Sequence, residues 1–184
     1  MQLSSVSATR LAQLQALKSY VIANYASVFD GVTAAAMNAT ASPDYWAWRT
    51  SVMELEFTRG LSVDGTSYSW PAYIARSQGE RDAWARLFMG GGTGSNPSLT
   101  NVRQGFADIF SGSANSAPAQ RQHLLAIARR KALIGEKVLA VVATGPGNDG
   151  GQARGSAANP DNFGDGAEGN ITLQNLIDAD GVSL

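Results

Sequence analysis

The stretch PAQRQHLLAIARRKALIGEKVLAVV, residues 118–142, decides how the chain is read. Leu124, Ile127, Ala128, Lys131, Ile134, Val138 and Val141 recur at steps of three and four. That period predicts one long helix with a mostly apolar stripe, along which the stem of Lys131 can lie while its charge stays in water. Arg121, Arg129, Arg130 and Lys137 occupy the other face. A helix of this kind buries one side in the fold and offers the basic side to solvent or to something negative.

Working outward toward the N-terminus, residues 101–110 predict a helix capped by Ser98 or Thr100, with Val102, Phe106, Ile109 and Phe110 buried. Residues 71–88 predict another, weakened by Gly79. Residues 42–59 predict a third, with Ser42 as N-cap and Pro43 in the first turn. Trp46 and Trp48 beside Arg49 are too apolar to leave in water and are expected as packing or interface anchors. Residues 7–29 predict the first helix, striped by Leu11, Leu14, Lys18, Val21, Tyr25 and Val28, with Asp30-Gly31 as its stop. Residues 32–39 predict a short helix. Asp64-Gly65 is a turn signal able to join two short strands.

Toward the C-terminus the character changes. Residues 143–169 carry repeated glycines and no periodicity, a length of irregular chain that is uncommon inside a compact domain. Residues 170–177 restore an apolar pattern, either as a strand through Ile171 and Leu173 or as a short helix capped by Thr172. The fold expected is mainly α: a bundle of about five helices over 1–142, a short β-hairpin, and a long irregular arm over 143–184 that ends in a docking segment, 171–177.

Charge sharpens this division. Between residues 121 and 140 five basic residues face one acid, Glu136; between 148 and 184 one basic residue, Arg154, faces six acids. The tail of one copy could therefore meet a basic face on another, although solvated charge runs have the same appearance. The chain has no cysteine, so disulfides and thiolate metal sites are excluded. No apolar run approaches the ~18 residues of a membrane span, and a soluble protein made in the cytoplasm is expected.

The residues spell no recognisable catalytic, cofactor or metal site. His123 is the only histidine, and nothing in sequence brings a nucleophile and an orienting carboxylate to it. Glu54 and Glu56, two apart, do not share a helix face. The glycine loop 90–98 lacks the Gly-Lys-Ser/Thr ending of a phosphate-binding loop. Asp161 to Glu168 resembles a calcium loop loosely, but Phe163 and Thr172 fall where oxygen ligands of an EF-hand belong.

Trp46-Ala47-Trp48-Arg49-Thr50-Ser51-Val52, Asn101-Val102-Arg103-Gln104-Gly105, Leu124 to Ala132 with Glu136-Lys137, and Glu168-Gly169-Asn170-Ile171-Thr172 form a set of blocks. In that order they resemble blocks of small virion proteins of tailed bacteriophages and prophages, over about residues 42 to 175. The resemblance implies a structural virion protein rather than an enzyme. Size and build then suggest a head–tail connector or adaptor in the phage neck: a homo-oligomeric ring of about twelve copies joining the portal protein to a tail or neck protein and lining or sealing the passage for DNA ejection. The chain departs from the pattern in its long insertion between Val142 and Glu168. Trp46, Trp48, Arg49, Ile171, Leu173, Leu176 and Ile177 are the expected interface residues. Arg121, Arg129, Arg130 and Lys131 are expected to face the portal or packaged DNA, bound non-specifically. The alternatives are a tail-tube or tail-completion component and a small DNA-binding regulator.

Overall fold

The structure, a computed structural model, describes residues 8–59, 62–89, 94–114, 116–140, 155, 157, 160 and 169–184. It is mainly helical: among the described residues there are nine helices and one two-stranded antiparallel sheet. The chain divides into two compact units, residues 1–47 with 131–184 (unit 1) and residues 48–130 (unit 2). Much of the expected arm over 143–184 lies outside the described residues.

Unit 1 is built on α1 (Ala8–Asn24), against which α8 (Ile134–Leu139) and α9 (Leu173–Asp180) pack. Its core contains Leu14, Leu17, Val21, Met37, Leu139, Ile171, Leu176 and Ala179, all buried. α1 stops at Asn24 because Ala26 and Ser27 take left-handed backbone conformations, φ 49° and 63°. Asp30-Gly31 begins a helix instead of ending one: Asp30 Oδ1 accepts the Thr33 amide at 2.8 Å and caps α2 (Gly31–Met37). The C-terminal stretch is helical and not a strand. Thr172 caps α9 by accepting the Asn175 amide, and the Asn175 side chain accepts the Thr172 amide in return. Lys18 reaches the far end of α9 and donates to the Asp180 and Val182 carbonyls at 2.7 and 2.8 Å, where a cation complements the helix C-terminus. Residues 170–184 thus belong to the core of unit 1.

The expected long helix over 118–142 is broken. α7 (Ala117–Ile127) ends at Ala128, β2 (Arg129–Lys131) follows, and α8 begins after Leu133. Helix propensity through Ala-Arg-Arg-Lys-Ala is high, but the backbone is used elsewhere. The Ala128 carbonyl accepts from the Arg49 amide at 2.8 Å, and the Ala132 amide donates to the Tyr45 carbonyl at 2.7 Å. A further bridge, Thr40 with Leu133, continues this pairing. Both alanines are fully buried, and a helix there would leave these partners unsatisfied. Val141 and Val142 lie outside the described residues.

The same pairing overturns the helix expected over 42–59. Trp46–Trp48 is β1, paired to β2, consistent with the strand preference of aromatic residues. Only Glu54–Thr58 is helical, as α3. Ser42 and Pro43 therefore cap no helix.

Unit 2 has an aromatic core. Phe57, Trp84, Phe106 and Phe110 are buried together, with Phe57 edge-on to Phe106 at 5.3 Å and to Trp84 at 6.1 Å between ring centroids. The helix expected over 71–88 is two: α4 (Trp70–Ile74) and α5 (Gln78–Phe88). Ser77 restarts the chain as N-cap, its hydroxyl accepting the Glu80 amide while Glu80 accepts the Ser77 amide at 2.7 Å. α6 (Thr100–Ile109) buries Phe106 and Ile109 as its periodicity predicts. Asp64 and Gly65, both at positive φ, form the turn between bridged Val63 and Thr66. Residues 90–93 lie outside the described residues, but the end of that loop is part of the fold. Gly94, at φ +77°, lies so close to Val52 that a Cβ would sit 2.5 Å from its carbonyl oxygen, and Ser95 bridges Val52.

Candidate interaction surfaces

Each expected basic contact residue already has an interaction within the chain. Arg121, on α7, donates to the Phe110 carbonyl and to the Gly112 carbonyl at 2.9 Å. Arg129 is ion-paired with Asp64. Arg130 is half-buried. In unit 1, exposed Lys131 pairs with Asp44 at 2.8 Å and lies 5.9 Å from the Trp46 ring centroid. Because Arg129, Arg130 and Lys131 stand on a strand, successive side chains point to opposite sides. The single basic helix face expected over 121–137 does not exist.

The expected aromatic anchors are also inward. Trp48 is buried, with the Arg103 guanidinium 4.6 Å from its ring centroid. Arg103 is fixed by the Pro97 and Ser98 carbonyls at 2.6 and 2.8 Å. Arg49 pairs with Glu56 at 2.8 Å. Burial alone would raise the Glu56 carboxyl, but the Met53 amide and Arg49 outweigh it and hold it below the usual range. Trp48 and Arg49 are thus structural in unit 2, and Trp46 is half-buried in unit 1.

His123 is a core residue of unit 2, 1% exposed. Its Nε2 lies 3.0 Å from the Phe57 carbonyl oxygen, which can only accept, so Nε2 carries the proton. Nδ1 is buried without a hydrogen-bond partner among the described residues. One turn earlier, buried Gln120 accepts the Ser69 amide at 2.8 Å and donates to the Ser67 carbonyl at 3.0 Å. Both side chains tie α7 to neighbouring backbone. Among the described residues no group of three or more carboxylate or histidine side chains is placed to hold a metal; the acidic stretch 161–168 lies outside them.

What the sequence pattern calls a docking segment divides in two. Ile171 and Leu176 are buried in unit 1, whereas Leu173 and Ile177 are 45% and 51% exposed. Spaced i, i+4, these two share one face of α9. Unit 2 has a similar feature that the sequence reading passed over. Trp70 and Ile74, also i, i+4, are 51% and 63% exposed on α4. Trp70 is held edge-on to Tyr68 at 5.2 Å and to Tyr73 at 5.7 Å. The signal was available as Trp-Pro at a helix start with Ile one turn on, but a single helix over 71–88 leaves Trp70 outside it.

No helix among the described residues is long and apolar enough to cross a membrane. Comparison of the chain with family models, with curated proteins and with solved structures gives no match in any of the three.

Proposed function

We propose that this chain is a structural protein of a tailed-phage virion, a head–tail connector or adaptor that assembles as a ring between portal and tail. The resemblance of its sequence blocks to small virion proteins suggests the setting. The observation that supports an assembly role is the exposed pair Leu173 and Ile177 on α9, whose opposite face is locked into the core by Leu176 and Ala179. A short helix fixed in the core and showing two large apolar side chains at its surface is a preformed contact element, and it loses little conformational entropy when it meets a partner. Contact in this reading is apolar and does not depend on a basic face over 121–131.

The test is the mass of the full chain by light scattering, alone and with the phage portal ring. Stoichiometric addition to the ring, weakened by Ile177→Asp, is expected. No association with the portal together with salt-sensitive binding to duplex DNA would transfer the assignment to a DNA-binding regulator. Neither behaviour would favour a tail component.

A further inference from the structure

Unit 1 holds a cleft of about 340 Å³ whose described walls are Tyr20, Ala41, Ser42, Ile134, Lys137 and Val138. This lies in the size range of small-molecule sites, which are mostly apolar with a few polar groups that orient the ligand. Ala41 and Val138 are buried and Ile134 is half-buried, so one wall is aliphatic. Tyr20, Ser42 and Lys137 carry the polar groups, and none of the described lining residues is acidic.

Lys137 sets the charge preference. Its ammonium donates to the Pro43 carbonyl at 3.2 Å. Among the described residues, the cation is met by this one carbonyl dipole. Among the described residues Lys137 forms no ion pair, and Asp44, which follows Pro43 in the chain, pairs with Lys131 at 2.8 Å. A tyrosine phenol keeps its proton and can donate at neutral pH, and burial, with Tyr25 second, raises Tyr20 further above its ordinary value. One ammonium balances a single negative charge, and the hydroxyls of the lining residues Tyr20 and Ser42 are neutral donors. A phosphate ester, with more charge and more acceptor oxygens, would call for an arginine fork or several cations.

We propose that this cleft binds a small aliphatic carboxylate, its chain against Ala41, Ile134 and Val138 and its head group on Lys137. The inference does not depend on an assembly role for the chain.

Octanoate is the probe, titrated into the full-length chain and followed by calorimetry and by backbone amide NMR shifts. Saturable one-to-one binding is expected, with shifts centred on residues 20, 41–42 and 134–138. Octanol should bind about tenfold more weakly, because it keeps the chain and lacks the charge. Lys137→Met should weaken octanoate by a similar factor and leave octanol unchanged, and Lys137→Arg should restore most of the affinity. The comparison of octanoate with octanol needs no variant, so it stands even if Lys137→Met folds poorly. Absence of saturable octanoate binding, or equal binding of octanoate and octanol, would overturn the proposal.

Discussion

The Glu136 carboxylate, buried in unit 1, accepts the Leu133 amide on one oxygen and the Gly169 amide on the other, each at 2.8 Å. One side chain thus closes the first turn of α8 and anchors the segment that leads into α9. A carboxylate does this because both its oxygens accept. Glu136→Gln keeps one acceptor and turns an NH₂ group toward an amide that also donates. The expected cost is about 1–3 kcal/mol, that of a buried donor left unsatisfied. Urea unfolding followed by circular dichroism would measure it, and an unchanged midpoint would show that the second acceptor oxygen contributes nothing to stability.

Gly135 faces Ile171 across the same junction. A Cβ on Gly135 would sit 2.2 Å from Ile171 Cγ1, closer than any packed pair of carbons. In an exposed helix Gly→Ala gains about 1 kcal/mol. Here the sign should reverse, with a loss of about 1–3 kcal/mol from overpacking. In the double variant Gly135→Ala with Ile171→Ala, the costs should sum to less than the two singles, because the clash is gone. Strict additivity would mean that the close approach is not the cause.

Adjacent residues on α9 should separate stability from assembly. Leu176 is fully buried, so Leu176→Ala should cost about 2–5 kcal/mol. Ile177 is half exposed, so Ile177→Ala should stay within about 0.5 kcal/mol. Ile177→Asp should fold normally and weaken addition to the portal ring. Removal of residues 170–184 should unfold unit 1, because Ile171, Leu176, Ala179 and Val182 all leave its core. Thermal melts of the three point variants and the truncation give the answer. A truncation that melts like the full chain would return this segment to the status of an appendage.

What could be read directly from the residues was local chemistry. Asp64-Gly65 makes its turn, Phe106 and Ile109 face inward at their helical spacing, and Thr172 caps the helix that one reading of the tail allowed. The errors share one cause. Arg129 to Lys131 and Trp46 to Trp48 are paired by hydrogen bonds between residues about eighty positions apart, and no window of local periodicity contains both partners. The same holds for the tail, whose apolar pattern is visible but whose neighbour, α1, lies at the other end of the sequence. The interface expectation suffered accordingly: an aromatic cluster such as Trp46 and Trp48 has the same composition whether it anchors a core or a partner. One signal was present and unused. Ser77 three residues before Glu80 marks a helix start within residues 71–88, whereas Leu133 has no side-chain acceptor, so the return bond from its amide to Glu136 leaves no N-cap signal in the sequence.

The Ser77–Glu80 capping box gives unit 2 an acid sensitivity with a definite sign. Hydrogen bonds from the Ser77 hydroxyl and amide, helped by Arg76, hold the Glu80 carboxyl below its ordinary value of 4.5. A carboxyl whose folded value lies below its unfolded one contributes stability that is fully present above the unfolded value and is lost as pH falls through the folded one. Unit 2 should therefore lose this contribution as pH drops from near 4.5 into the more acidic range, and it should be unaffected near neutrality. Glu56, lowered by the Met53 amide and Arg49 against the opposing effect of burial, adds in the same direction. Glu80→Gln removes the titrating group and should flatten the acid limb of the curve of unfolding midpoint against pH. Ser77→Ala should lower stability at neutral pH by about 0.5–2 kcal/mol through loss of the cap and should also flatten that limb. Circular dichroism melts of the three proteins from neutral pH into the acid range make the comparison, and identical acid limbs would show that the capping box carries none of the pH dependence.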